Sequence, residues 1–325
     1  MDSTQTDRAH PAHQQNPAAL LEKIKAQVQR VIVGHEDALE LMLCALIARG
    51  HVLLEDVPGT GKTVMAKTLA RALDLTFARI QFTPDLLPGD VTGISVWNAG
   101  SGAFEYRRGP VFTHVLLADE INRATPRTQS ALLECMAEKQ VTADGETRAL
   151  ESPFLVIATQ NPVEIQGTFP LPEAQLDRFL MRLKLGYPTR DEALSILDRF
   201  MLSDPLDSVV ACAGRVEIEA VMDEVPKIAV SGPVREYIAQ LTARTRELSQ
   251  VLLGVSPRGM LMLLRASQAL ALVRGRAFVT PDDVRSLAVP VMAHRVIVKG
   301  SYGRADQSRL MVEEALASVP VPTEA

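Results

Sequence analysis

Apolar positions along the chain follow two patterns. From Pro17 onward (PAALLEKIKAQVQRVIVG), and again over Asp37 to Arg49 where Leu39, Leu43 and Ile47 recur every four residues, they mark one face of a helix. Three short runs are instead apolar without a break, and each ends in polar residues: HVLLE (His51 to Glu55), VLLADE (Val115 to Glu120) and FLVIATQN (Phe154 to Asn161). Runs of that length predict central strands of a parallel sheet covered on both faces. Helical segments separate them, as right-handed crossovers require. Phe77 to Phe82 and Met181 to Leu185 read as further strands, for an expected total of about five.

Two stretches interrupt this alternation. Between Asp90 and Thr113, ISVWNAGSGAFEYRRGPVF reads as a hairpin around a Gly-rich turn, and Val141 to Leu150 reads as another around Asp144-Gly145. Both look like insertions into a sheet-and-helix core, where partner contacts usually sit. After Tyr187-Pro188 the strand runs stop and helical patterns take over near Asp191 to Leu202, Pro233 to Leu248, Pro257 to Val273 and Pro281 to Ala293. Thr280-Pro281 before DDVRSL has a capping hydroxyl, a proline in the first helical position and acids in the first turn. The expected organisation is a disordered tail over residues 1–16, an α/β core over 17–187 and an all-helical region over 188–325.

Composition narrows the class. The chain has 325 residues, enough for about two domains, with 47% hydrophobic and 22% charged residues, as in ordinary globular proteins. Lys plus Arg (34) against Asp plus Glu (39) leaves a net charge of −5, which gives no overall pull toward nucleic acid or an anionic membrane. Cys44, Cys135 and Cys212 are far apart and odd in number, suggesting neither a disulfide framework nor a zinc site. The apolar segments fall well short of the roughly 20 residues of a membrane span, and the N-terminus has no signal-peptide apolar stretch. The expectation is a cytoplasmic protein with no membrane span.

The first candidate chemistry follows the first strand. Asp56-Val57-Pro58-Gly59-Thr60-Gly61-Lys62-Thr63-Val64 opens a helix on which Met65, Leu69, Ala72 and Leu73 form an apolar stripe. A strand, a glycine-rich turn and a helix N-terminus make a phosphate cradle: backbone N–H groups and the helix dipole face the anion. In it Gly59 and Gly61 let the backbone approach the phosphates, Lys62 neutralises the β/γ oxygens and the Thr63 hydroxyl ligates Mg²⁺. The full phosphate-loop pattern fails at its first glycine, where this chain has Asp56. ATP and Mg²⁺ are the expected cofactors.

Hydrolysis also needs carboxylates. Asp119 and Glu120 close the VLLADE run; Asp119 would hold the Mg²⁺ and Glu120 would activate the attacking water. Asn161 ends the third run on the same side of the sheet, since ligands of parallel sheets sit outside the carboxyl ends of the strands. It could orient the water or contact the γ-phosphate; alone it would read as a turn residue.

Taken together, EDVPGTGKT, LLADEINRATPRTQSALLECM, IATQNP, LPEAQLDRF and SPRG closely resemble the MoxR family of AAA+ ATPases, from about Val31 to Lys299. In that family the phosphate loop commonly lacks its first glycine. The resemblance implies an AAA+ core with an inserted hairpin set and a helical lid, assembled as a hexameric ring. It implies that Arg178, in LPEAQLDRF, is an arginine finger reaching a neighbour's site; the alternative is a surface ion pair with Asp177 or Glu173. It implies that Arg258, in SPRG, is a sensor of the phosphates. In the first turn of a helix capped by Ser256 the dipole disfavours a cation, which agrees with a phosphate partner. It implies that Val33-Gly34 contact adenine. It further implies chaperone-like maturation of partner complexes, often with proteins carrying von Willebrand factor A domains.

Two other functions compete with this reading. A nucleic-acid motor would use Arg107-Arg108, or Arg235, Arg244 and Arg246, but Glu236 and Glu247 share that helix and the net charge is negative, so these read as solvated faces. A nucleotide-gated scaffold fits poorly with Glu120 and Arg178 both present, and a P-loop kinase fits poorly with an all-helical lid that carries a sensor arginine. The hairpin around Trp97 and Tyr106 is the candidate client contact, with Trp97 either packed or displayed.

Overall fold

The computed structural model describes residues 16–57, 59–161, 167–201, 204–300 and 305–323, so the expected tail lies almost wholly outside the described residues, as does Leu202 at the end of one expected helix. In chain order the core comprises α1 (Pro17–Gln29), α2 (Glu36–Ile47), β1 (Val52–Glu55), α3 (Lys62–Ala72), β2 (Phe77–Gln81) and a short α4 (Pro88–Thr92). Then come β3 (Gly93–Asn98), β4 (Ala103–Arg108), β5 (Val115–Asp119), α5 (Pro126–Glu138), β6 (Gln140–Ala143), β7 (Glu146–Ala149), β8 (Leu155–Gln160), α6 (Glu173–Leu176) and β9 (Met181–Leu183). The helical region follows with α7 (Arg190–Phe200), α8 (Arg215–Glu224), α9 (Gly232–Glu247), β10 (Val251–Leu253), α10 (Pro257–Val273), α11 (Pro281–Met292), β11 (Ile297–Val298) and α12 (Ala305–Ser318).

Five parallel strands form one sheet in the order β2-β5-β8-β1-β9. Its three central strands β1, β5 and β8 read as nearly unbroken apolar runs because both faces are covered. Val115 and Leu117 of β5, and Leu155 and Ile157 of β8, enter one core with α1, α2 and α3, whereas Leu116, Ala118, Val156 and Ala158 enter a second core with α5 on the other face. The first core continues without interruption into α9, α10 and α11. At one of these seams the buried Cys44 thiol on α2 donates to the Ala266 carbonyl of α10 at 3.2 Å.

Helix starts follow their caps. Asn16 accepts from the Ala18 N–H ahead of α1, Ser256 from Gly259 ahead of α10, and Thr280 forms a capping box with Asp283 ahead of α11. Several elements escaped the sequence pattern. The helix α8 buries only Ile218, Val221 and Met222, α12 has a weak stripe, and the pair β10–β11 joins segments far apart in the chain.

The two hairpins are β3–β4 and β6–β7. Asp144 (φ 55°) and Gly145 (φ 77°) take the left-handed pair of conformations that a two-residue turn needs. Tyr106 is not displayed: its hydroxyl donates to the Thr92 carbonyl at 2.7 Å and its ring lies 3.8 Å under the Arg148 guanidinium. Trp97 is displayed, 55% exposed and edge-on to the 71% exposed Phe104.

His51, just before β1, makes a testable contribution to stability. Its Nδ1 accepts the Val156 N–H at 3.0 Å, which leaves Nε2–H to donate to the Met136 carbonyl at 3.1 Å. Burial lowers its pKa to about 4 from the ordinary 6.5. The unfolded chain therefore binds more protons between those values. The contribution is present in full above pH 6.5 and is lost as pH falls toward 4. The shift corresponds to about 3 kcal/mol. Urea unfolding from pH 7 down to pH 4.5 should show a steeper loss of stability for the wild type than for His51→Asn; equal slopes would exclude His51 as the source.

Candidate functional site

The sheet register brings four strand ends to one edge. Glu55 lies opposite Gln160, and Gln81 opposite Asp119, so the segments after β1, β2, β5 and β8 leave the sheet side by side. Between them is a cleft of about 280 Å³ lined by Gly59 to Val64 and by side chains from the other strand ends, Asp119, Glu120 and Asn161 among them.

The residues after β1 form a glycine-containing turn that leads directly into α3. Gly59 (φ 86°) and Gly61 (φ 82°) sit in the left-handed region, and a Cβ added to either would meet nothing within 4 Å, so the space above the loop is open to a ligand. Gly61 is the N-cap of α3 and supplies no side-chain acceptor, nor is there an acid in the first turn. The helix thus offers its N–H groups and dipole to an outside anion. Lys62 Nζ donates to the carbonyls of Asp56 and Val57 at 3.2 Å each, and the Thr60 hydroxyl to Val57 at 3.4 Å. Pro58 lies outside the described residues.

At the end of β5 the two carboxylates have different partners. Asp119 Oδ1 accepts from the Thr159 hydroxyl at 2.6 Å, and its Oδ2 from Arg79 at 2.7 Å. Glu120 sits at φ 55°, an uncommon conformation for a residue with a side chain. Its N–H donates to Thr159 Oγ1 at 2.7 Å. Its Oε2 accepts from Gln81 at 2.7 Å and from Arg123 at 3.1 Å. Arg79, Gln81, Arg123 and Thr159 were not anticipated from the sequence. The rule that pointed to Asn161, polar residues at the carboxyl end of a strand, applies equally to Arg79 and Gln81 in FARIQF and could have found them.

The donor set suits a nucleotide triphosphate and its cation: an uncapped helix end, an ammonium and a guanidinium for the anion, with the Asp119 carboxylate and Thr63 hydroxyl for a hard metal ion. No group of three or more His, Cys, Asp or Glu side chains placed to hold a metal ion occurs among the described residues.

Arg178, Arg258, Val33 and Gly34 are not among the residues lining this cleft. The Arg178 guanidinium donates to the Leu133 carbonyl of α5 at 2.5 Å and, among the described residues, forms no ion pair with Asp177 or Glu173. Asp177 is engaged by the helical region instead: Arg295 Nε lies 2.8 Å from its Oδ1 and Arg258 Nε 3.9 Å from its Oδ2. Burial pushes the Arg295 pKa down to about 10. Gly34 takes φ 68°, a conformation that disfavours a side chain, and the Glu192 carboxylate of α7 lies against it.

Comparison with known proteins agrees with this geometry. Residues 51–181 match the ATPase family associated with various cellular activities (AAA), and residues 243–316 match the AAA lid domain family. The chain is 46% identical to YeaC of Bacillus subtilis, covering 96% of this chain and 98% of that protein. It is 40% identical to Chaperone MoxR1 of Mycobacterium tuberculosis, covering 89% and 81%, and 33% identical to Protein MoxR of Paracoccus denitrificans, covering 92% and 95%. A crystal structure from Cytophaga hutchinsonii, whose protein is provisionally called an ATPase, matches with a TM-score of 0.87 at 38% identity, covering 94% of this chain and 96% of that one.

Proposed function

The chain belongs to the MoxR family of AAA+ ATPases and is an ATP-hydrolysing enzyme, and we propose that it spends each turnover of Mg²⁺-ATP on moving its helical lid against the core and so remodelling a bound partner protein. The observation that carries this reading is the convergence of the Lys62 loop, the Asp119–Glu120 pair and Asn161 on one cleft, with a helical region joined to the same sheet edge after β9.

In this reading the amides of Gly59 to Val64 bind the phosphates, Lys62 leaves the Asp56 and Val57 carbonyls for the β/γ oxygens, and Thr63 and Asp119 hold the cation. A bound Mg²⁺ neutralises charge on the phosphate oxygens. Glu120, steered by Gln81 and Arg123, takes a proton from water, and Asn161 orients that water. Arg178 lies outside its own chain's cleft, which supports its use on a neighbour in a ring, proposed as a hexamer. Arg258 would leave Asp177 for phosphate and draw the lid with it. Val33 and Gly34 would meet adenine beside α7.

The exposed Trp97–Phe104 face of the first hairpin is the proposed client contact, with a protein carrying a von Willebrand factor A domain among the candidate partners. No helix among the described residues is long and apolar enough to cross a membrane.

The test has two arms. Lys62→Ala should weaken binding of a fluorescent ATP analogue about 10- to 100-fold, the loss of one charge-assisted contact. The wild type with Mg²⁺-ATP should suppress aggregation of a heat-unfolded reporter protein, and Lys62→Ala should not. Equal protection by both would exclude an ATP-driven client role.

A further inference from the structure

Asp56 stands where the phosphate-loop pattern has its first glycine, and the structure shows what it does there. The residue is 6% exposed. Its Oδ1 accepts the N–H of Val57, in its own loop, at 2.8 Å. Its Oδ2 accepts the N–H groups of Leu185 and Gly186, each at 2.9 Å. Those two amides open the linker that leads from β9 to α7, and Gly186 turns the chain at φ 78°.

The sheet explains why this carboxylate meets that linker. β1 and β9 are parallel neighbours, with Leu54 opposite Leu183, and β9 is the edge strand. The two strands run together to their ends and then part, one into the phosphate loop and the other toward the lid. Asp56 spans the fork and satisfies backbone donors beyond the last strand pairing of β9. One residue earlier Glu55 and Arg182 join the same strands through a largely buried pair at 3.6 Å.

Asp56 also touches the chemistry at its other end. Its carbonyl accepts from Lys62 Nζ at 3.2 Å, so one residue is held by the phosphate-binding lysine through its main chain and by the lid linker through its side chain. A glycine at this position would leave the N–H groups of Val57, Leu185 and Gly186 without this acceptor.

We infer that Asp56 is a positioning residue that fastens the root of the lid to the phosphate loop, so that transfer of Lys62 from the Asp56 carbonyl to a phosphate is felt at Leu185–Gly186. This rests on the reading of a lid driven by ATP. It goes beyond that reading by naming the joint.

The test uses the full chain and two variants. Asp56→Gly restores the standard loop pattern, and Asp56→Asn keeps one acceptor oxygen but turns an NH₂ toward backbone donors. Thermal melting checks that each is folded. Amide hydrogen exchange over residues 184–190, measured without nucleotide, should be faster in Asp56→Gly at Leu185 and Gly186 and intermediate in Asp56→Asn. With Mg²⁺-ATP the linker of the wild type should change its exchange, and that of Asp56→Gly should not. Binding of a fluorescent ATP analogue should stay within about threefold while kcat falls about tenfold or more, a misplacement effect rather than a lost phosphate contact.

Unchanged exchange at Leu185 and Gly186 in Asp56→Gly, or unchanged kcat, would overturn the inference. So would parallel losses of ATP binding and kcat, which would confine Asp56 to the cradle. A wild-type linker that ignores ATP would instead sink the moving lid, while the measurement without nucleotide still reads the Asp56 bonds.

Discussion

Glu120→Gln will bind ATP as the wild type does and release phosphate about 10²- to 10⁴-fold more slowly, the usual worth of a positioned general base. The substitution keeps the size and shape of the side chain and removes its ability to take a proton. The surroundings favour a clean result. The Gln81 amide can still donate to the oxygen of the new side chain, and the backbone N–H of residue 120 keeps its bond to Thr159. Among the described residues the cation beside it is Arg123, 39% exposed on its side chain, which loses a charged neighbour. Phosphate release at saturating Mg²⁺-ATP, together with a titration of ATP binding, separates the two effects. Undiminished turnover would remove Glu120 from its role.

Arg178→Ala will lose about 10³-fold or more in turnover, the range of an arginine that neutralises charge on a transferring phosphoryl group. Among the described residues of its own chain Arg178 donates to the Leu133 carbonyl, a contact the fold should tolerate losing. The decisive experiment mixes Arg178→Ala with Lys62→Ala. Each variant alone should turn over little ATP. In a randomly mixed ring about one interface in four pairs an intact phosphate loop with an intact Arg178 from the next chain. Activity should reappear in proportion. Failure of the mixture to recover activity would place Arg178 within its own chain's site and remove the argument for a finger acting across an interface.

How far the sequence reached depended on the range of the interaction. The strands β1, β5 and β8 were legible because burial on both faces forces a continuous apolar run, and α3 because Met65, Leu69, Ala72 and Leu73 must all face the sheet. Helices such as α10 and α11 were legible from caps that act within four residues. The pairing of Val251 with Val298 carries no local signal, because it joins two short segments that only the packing of α9 to α12 brings together. The same distinction divides the site. Lys62 and Thr63 follow from a loop and a helix start that are contiguous in the chain. Gln81 and Arg79 reach Glu120 and Asp119 only because β2 lies beside β5.

By itself the sequence determined the phosphate cradle, the acidic strand end and the alternation of strand and helix, since these depend on residues a few positions apart. Only the tertiary structure decided the partners of the charged side chains. Asp177 faces Arg295 and Arg258 rather than Arg178, and Asp56 holds Leu185 and Gly186 rather than merely interrupting a motif. For Asp56 the physical reason is the strand order β2-β5-β8-β1-β9, which is not the chain order and sets the end of β1 beside the end of β9; for Asp177 it is the packing of the start of α10 and the turn just after α11 against the segment between α6 and β9.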